Sequence, residues 1–317
     1  MKIVVTGREG QVARSLHERG HLAGIDVVSL ARPEIDLADP DSIHAPLSSL
    51  RPDAVVNAAA FTAVDLAETE AERAFAVNGR GAGAVAAAAA RLEIPIIHLS
   101  TDYVFDGALD RPYLESDVTH PLTVYGRSKL EGERAVAAAQ PNHVILRTAW
   151  VYSPFGKNFV RTMLSLAAQR AEVSVVADQH GSPTSAWDIA DAILAVAKQM
   201  AERPETLALR GVFHLAGGGE ATWAEFAEAV FAESRALGGP SARVVPIPSS
   251  AYPTIARRPL NSRLNTDKIR AVYGLRLPAW RQSLAICIGR LLADGMTEPR
   301  LAVSGEERQN PEHGKTR

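Results

Sequence analysis

The 317-residue chain is 46% hydrophobic and sets 34 basic against 36 acidic residues, for a formal charge of -2. It can therefore bury a large core, and it has no basic excess to suit nucleic acid or an anionic membrane surface. Its single cysteine, Cys287, excludes an internal disulfide framework and a Cys-based zinc cluster, which makes a reducing cytoplasm the expected setting. No signal peptide is expected before the first strand, and no apolar run approaches the roughly 20 residues that cross a bilayer.

The chain opens with Met1 to Thr6, an apolar run rich in β-branched residues, and passes directly into Gly7-Arg8-Glu9-Gly10-Gln11-Val12-Ala13. This predicts a strand, a glycine turn and a helix start. The GxxGxxA spacing suits a tight turn at Gly7, close approach of a pyrophosphate at Gly10 and close helix packing at Ala13. Further strands are expected over Ile25 to Leu30, Ala54 to Ala58, Ile94 to Ser100 and His143 to Thr148, with helical stretches between them, including the alanine-rich Ala84 to Ala90. Alternating β and α predicts an α/β, Rossmann-like, doubly wound parallel sheet with ligands at the carboxyl ends of its strands.

After residue 152 the pattern loosens. Val173 to Ala177 and Val212 to Ala216 read as strands, Ser182 to Ala197 and Thr222 to Leu237 as helices, and Pro246, Pro248, Pro253 and Pro259 as punctuation of a long loop. A last helix follows around Trp280 to Leu292, with Cys287 as a buried helix residue. The expected division is a dinucleotide-binding part over 1–152, a smaller C-terminal substrate-binding part over 153–296 with segments returning to the first, and a disordered tail over 297–317.

Tyr125 and Lys129 stand four apart near the start of an expected helix, and residues at i and i+4 share a face. An ammonium beside a phenol favours the phenolate, so Lys129 is expected to lower the pKa of Tyr125 from about 10 toward the range useful for proton transfer. Spacing alone also fits any amphipathic helix. It gains weight from Asn57-Ala58-Ala59-Ala60, from Ser100-Thr101-Asp102-Tyr103-Val104-Phe105 and from the glycine turn in the same order.

With these segments the chain resembles the extended short-chain dehydrogenase/reductase family. Four narrower motifs, Phe61 to Asp65, Arg147 to Tyr152, Asp178 to Thr184 and Ala256 to Leu264, make residues 1 to 295 similar to the dTDP-4-dehydrorhamnose reductase family within it. The resemblance implies reduction of the C4 ketone of dTDP-4-dehydro-β-L-rhamnose to dTDP-L-rhamnose, the last step in making that nucleotide sugar. The partner implied is a dTDP-linked 4-keto-6-deoxy sugar. Tyr125 is then the proton donor, Lys129 its modulator and a holder of the nicotinamide ribose, and Thr101 a hydrogen-bond donor to the sugar carbonyl. Asp102 touches the sugar, Trp150 forms a flat wall beside it, and the adjacent Arg257 and Arg258 suit the diphosphate. Thr101 also reads as a strand-end hydroxyl capping a turn.

On the cofactor side the resemblance places Gly7, Gly10, Gln11 and Val12 at the pyrophosphate turn and Asp36 with Leu37 at the adenine edge. Ala60, Phe61 and Thr62 lie along the cofactor, and Leu99 contributes mainly backbone. Asp36 also reads as a helix N-cap. The stretch Ser29 to Pro33 lacks the acid that holds a ribose 2′-hydroxyl, and Arg32 there suits a 2′-phosphate or a solvated loop, so NADPH is favoured over NADH.

The nine histidines show no metal-binding spacing, and no catalytic metal is expected. Some members of the family are magnesium-dependent dimers that use acidic residues on the first helix and on the helix after the Pro-Thr pair. Here those stretches read Ala13-Arg14-Ser15-Leu16 and Ser185-Ala186-Trp187-Asp188, which leaves a monomer and a different homodimer both open. Two other functions share the fold: a nucleotide-sugar epimerase or dehydratase that retains its NAD, and a non-catalytic regulatory subunit. The intact Thr101, Tyr125 and Lys129 set favours the reductase over both.

Overall fold

A computed structural model of the chain describes residues 1–295; the expected disordered tail lies outside the described residues. Strand β1 (Lys2–Thr6) is apolar on both sides, with Ile3 and Val5 in one core layer and Val4 in the other, as a parallel strand covered on both faces requires. It leads through the glycine turn to α1 (Gln11–Leu22), then to β2 (Asp26–Leu30), α2 (His44–Leu50) and β3 (Ala54–Asn57). Short helices α3 (Val64–Ala67) and α4 (Ala71–Phe75) and a π-helical turn over Ala76–Gly81 precede the alanine-rich α5 (Ala82–Arg91). Strand β4 (Ile96–Thr101), α6 (Val124–Ala139) and β5 (His143–Thr148) follow.

The remainder comprises β6 (Val151–Tyr152), α7 (Phe159–Ala167), β7 (Glu172–Val176), β8 (His180–Gly181), β9 (Thr184–Ser185), α8 (Ala186–Glu202) and β10 (Gly211–His214). These lead to β11 (Ala221–Thr222), α9 (Trp223–Ala236), β12 (Arg243–Ile247), α10 (Asp267–Tyr273) and α11 (Trp280–Ala293). Six parallel strands form the main sheet in the order β10-β5-β4-β3-β1-β2. Residues from α8 and α10 cover one face with those of α1, while α2, α5 and α6 contribute to the other. Thus β10, α8 and α10 come from beyond residue 152 yet complete the main sheet. Strand order reverses beside β1, which opens a crevice at the strand ends. The third core layer joins α7, β7, α9 and α11.

Three local expectations change. Helix α8 begins at Ala186 because Thr184 and Ser185 pair with β6, and Ser185 then caps the helix through the Trp187 amide. The proline-rich stretch contains β12, paired in parallel with β7 along its whole length. Pro246 is tolerated there because β12 has one neighbour, so the missing N–H breaks no second ladder. Helix α10, only seven residues long and closed by Gly274 in the left-handed region, is too short to announce itself by periodicity.

Candidate active site

The glycine turn is built as its spacing suggests. Gly7 has φ +92°, where an L side chain is strained, and a Cβ there would stand 3.4 Å from the Ala59 Cβ. A Cβ on Gly10 would meet nothing within 4 Å, no side chain caps α1, and Ala13 is buried against the sheet. The first turn of α1 is thus an uncapped, open set of amides of the kind that binds pyrophosphate. The Gln11 side chain is used elsewhere: it accepts from Ser153 Oγ at 2.8 Å and donates to the Val151 carbonyl at 3.4 Å. Only its backbone is available to the turn. Across the strand ends, Thr6 Oγ1 donates to Asn57 Oδ1 at 2.6 Å, and Asn57 Nδ2 lies 3.1 Å from His98 Nδ1.

Further along the crevice, Ala60 and Phe61 are half-buried and Thr62 is exposed. Asn78 fixes this loop by accepting from the Phe61 amide at 2.8 Å and donating to the Phe61 carbonyl at 3.1 Å and to Ser128 Oγ at 2.9 Å. Sequence reasoning missed Asn78, which lies on the π-helical turn and carries no spacing signal. Leu37 is buried, and its carbonyl would meet a Cβ on Gly81 at 2.3 Å. Asp36 is not a helix N-cap: it accepts from the Ala38 amide at 2.9 Å, and Asp39 caps the short turn that follows. Arg32 is exposed just past β2, and the neighbouring Arg8 pairs with Glu34 at 3.0 Å.

Thr101 ends β4, and its hydroxyl caps the turn Asp102–Val104 by accepting from the Tyr103 amide at 3.2 Å. The same hydroxyl donates to Asp102 Oδ1 at 2.9 Å and opposes the burial-driven rise of the Tyr125 pKa. The reading of Thr101 as a turn cap therefore holds, while its own proton goes to Asp102. Asp102 is buried, its Oδ2 lacks a well-aligned partner among the described residues, and burial raises its carboxyl to about 6 against the hydroxyls of Ser262 and Thr101.

Thr123 caps α6 through the Gly126 amide at 3.0 Å, placing Tyr125 and Lys129 on the first turns. Gly126 lets the helix settle onto the turn after β4, since a Cβ there would stand 2.2 Å from the Tyr103 carbonyl oxygen. The expected lowering of the Tyr125 pKa is not what this geometry produces. Burial pushes the phenol above its ordinary value, and Lys129 Nζ donates to the Leu99 carbonyl at 2.6 Å. Lys129 is 3% exposed, and burial brings its ammonium down to about 8 while Glu133 opposes the change. The backbone carbonyl of Leu99 is thus taken by Lys129. One turn beyond Lys129, Glu133 accepts from Ser100 Oγ at 2.5 Å and from Arg147 Nε and Nη2 at 2.9 and 2.7 Å.

Trp150 follows β5 at φ +49° and stacks on Trp223, with centroids 3.5 Å apart and planes 9° apart. A Cβ on Gly181 would reach within 2.3 Å of the Trp150 ring, so the glycine of the Asp178 to Thr184 motif is needed to seat the indole. That motif grips the Ala256 to Leu264 motif: His180 donates to the Leu260 carbonyl at 2.8 Å and accepts from the Ser262 amide at 2.7 Å. Beside them lies a cleft of about 1020 Å³, lined among others by Asp65, Tyr103, Trp223, Arg257 and Arg258. Arg257 is exposed, but Arg258 is not a free partner to it: Asp65 Oδ2 accepts from its Nη2 at 2.5 Å. Arg263 is engaged by the exposed Glu220 and by Asn261.

A doubly wound sheet with an uncapped glycine turn at one strand end and a Tyr-Lys pair on the helix beside another is the plan of the extended short-chain dehydrogenase/reductases, a class of dinucleotide-dependent oxidoreductases. The family model described as RmlD substrate binding domain matches residues 1–293. A dTDP-4-dehydrorhamnose reductase of Sinorhizobium fredii is 50% identical over 295 residues, 93% of this chain and 99% of that protein. Among solved structures, a dTDP-4-dehydrorhamnose reductase from Clostridium acetobutylicum has a TM-score of 0.85 at 34% identity, covering 92% of this chain and 100% of that one. That from Bacillus anthracis, in complex with NADP, has a TM-score of 0.84 at 31% identity, covering 91% and 99%. The chain belongs to the dTDP-4-dehydrorhamnose reductase family.

Proposed function

We propose that the chain reduces the C4 ketone of dTDP-4-dehydro-β-L-rhamnose to dTDP-L-rhamnose, with the cofactor on residues 1–152 and the sugar nucleotide held largely by 153–296. Family membership supports the reaction, and the convergence of Thr101, Asp102, Tyr125 and Lys129 on the end of β4 supports these residues as its machinery.

The open turn at Gly7 and Gly10, and an ammonium at Lys129 with two N–H donors beyond the one given to Leu99, fit a dinucleotide. NADPH, when bound, supplies the hydride. Gly10, Gln11 and Val12 present backbone at the turn, with Arg32 toward a 2′-phosphate, Asp36 and Leu37 toward the adenine, and Ala60, Phe61 and Thr62 along the crevice. Thr101, once its hydroxyl proton turns from Asp102 Oδ1, and Tyr125 hold the ketone oxygen between two O–H donors. Because burial keeps the phenol protonated at neutral pH, Tyr125 enters the step as an acid, the form that reduction needs. Its O–H proton passes to the carbonyl oxygen as that oxygen gains charge, and the Lys129 ammonium, one turn along α6, is the cation placed to stabilise the phenolate left behind. Trp150 walls the sugar, and Arg257 and Arg258 serve the diphosphate.

No helix among the described residues is long and apolar enough to cross a membrane. A monomer and a homodimer other than the family's magnesium-bridged one both stay open, since the acidic side chains of the α1 and α8 face are engaged within the chain. There Glu18 accepts from Trp187 Nε1, Asp188 from Ser283 and Asp191 from Arg19.

The test is the loss of NADPH absorbance on adding enzymatically prepared dTDP-4-dehydro-β-L-rhamnose, beside NADH and a no-substrate control. Substrate-dependent oxidation yielding dTDP-L-rhamnose is expected. Cofactor binding without turnover would instead favour an epimerase-like enzyme or a regulatory subunit.

A further inference from the structure

We infer that Asp65 is a positioning residue that aims Arg258 at the sugar nucleotide and fastens the arginine-bearing strap to the cofactor half of the molecule. The inference rests on the functional reading above for the identity of the ligand, but its geometry is independent of it.

Asp65 sits on α3, just after the loop that follows β3, while Ala256 and Arg258 lie on the strap between β12 and α10. One carboxylate spans that separation with both oxygens. Oδ1 accepts from the Ala256 amide at 3.0 Å, and Oδ2 accepts from Arg258 Nη2 at 2.5 Å. The two bonds fix both the backbone of the strap and the direction of its guanidinium, which neither could do alone. Arg258 Nη1 continues the chain to the Tyr103 hydroxyl at 3.4 Å, and the Tyr103 ring meets that of Tyr125 edge-on with centroids 5.6 Å apart. A guanidinium has five donors in a planar fork, so Arg258 can keep Asp65 and still offer N–H groups to an anion. Its side chain is 21% exposed, and both residues line the cleft of about 1020 Å³.

Strap composition makes such a tether necessary. Tyr252 and Ile255 are 60% and 72% exposed, so little apolar packing holds this end. The charge-assisted bonds to Asp65 replace that packing. Without the carboxylate, Arg258 retains its charge but loses its direction, and ordering it falls to the incoming nucleotide.

Asp65→Ala and Asp65→Asn, each alone and with Arg258→Met, test this by steady-state kinetics, calorimetry with dTDP as the probe, and amide exchange of the strap in the ligand-free protein. Asp65→Ala is expected to weaken dTDP binding and raise the KM for the sugar nucleotide by about tenfold. kcat and NADPH affinity should change by less than about threefold, and strap exchange should quicken. Asp65→Asn retains an acceptor for the Ala256 amide, so it should restore slow exchange without restoring dTDP affinity. In the Arg258→Met background the Asp65 effect on dTDP should largely vanish. Unchanged dTDP binding, an unchanged strap, or an effect that persists without Arg258 would overturn the inference. If the wild-type protein fails to turn over the keto sugar, the functional reading falls, while the dTDP and exchange measurements still decide the role of Asp65.

Discussion

Lys129 Nζ donates at 2.6 Å to the carbonyl oxygen of Leu99, which lies within β4 two residues before Thr101. The ammonium is therefore fixed by a backbone atom to the strand that carries Thr101. Burial brings this ammonium down to about 8 from 10.5. Because the folded state releases the proton more readily than the unfolded one, Lys129 costs stability fully below about pH 8, and the cost is relieved as pH climbs toward 10.5.

Two outcomes follow for Lys129. The kcat/KM profile should fall on its alkaline side near pH 8. Lys129→Met should lose both turnover and NADPH affinity. Its Tm at pH 7 should match or exceed that of the wild type, and this margin should narrow as pH rises above 8.

Tyr125→Phe removes the proposed proton donor but leaves the ring that packs on Tyr103. Turnover should drop by about 10² to 10⁴, the usual contribution of general acid catalysis. NADPH affinity measured by calorimetry should stay within about threefold of the wild type. Full activity in this variant would remove Tyr125 from the mechanism.

Asp102 is the acidic counterpart. Burial lifts its carboxyl from 3.8 to about 6, so its destabilising contribution grows as pH rises through that window and is complete above it. If the carboxylate is the form that holds the sugar, kcat/KM should fall below about pH 6, and Asp102→Asn should lose that limb. The Tm gain of Asp102→Asn over the wild type should be larger at pH 8 than at pH 4.

Gly181→Ala places a methyl group on the Trp150 ring. The Trp150–Trp223 stack must shift, which should alter the near-UV circular dichroism, raise the KM for the sugar nucleotide and cost about 1–3 kcal/mol of stability. NADPH binding should be spared, since the stack lies on the substrate side.

Glu133→Ala strands Arg147, a guanidinium whose side chain is 5% exposed, without its carboxylate. Urea unfolding should report a loss of about 3–5 kcal/mol. A loss much below this would mean that water reaches Arg147 once Glu133 is gone.

The main sheet was legible because central parallel strands are apolar on both faces, and because Gly7, Gly10 and Ala13 carry their conformational demands in their own residue types. Pro246 misled because its place in a strand depends on having one neighbour only, and α10 because seven residues show no period. Asn78 escaped notice since what it does is set by Phe61 and Ser128, each 17 and 50 residues away.

By itself, then, the sequence determined the alternation of strands and helices, the glycine turn, the Tyr125 and Lys129 pair and the motifs that mark the family, all of which reside in local residue types and spacing. Only the tertiary structure decided that Lys129 turns to Leu99, that burial raises the phenol of Tyr125, and that Arg258 is held by Asp65 across 193 positions of chain. Desolvation and ion pairing depend on what the fold brings near a group, and no spacing along the chain specifies that.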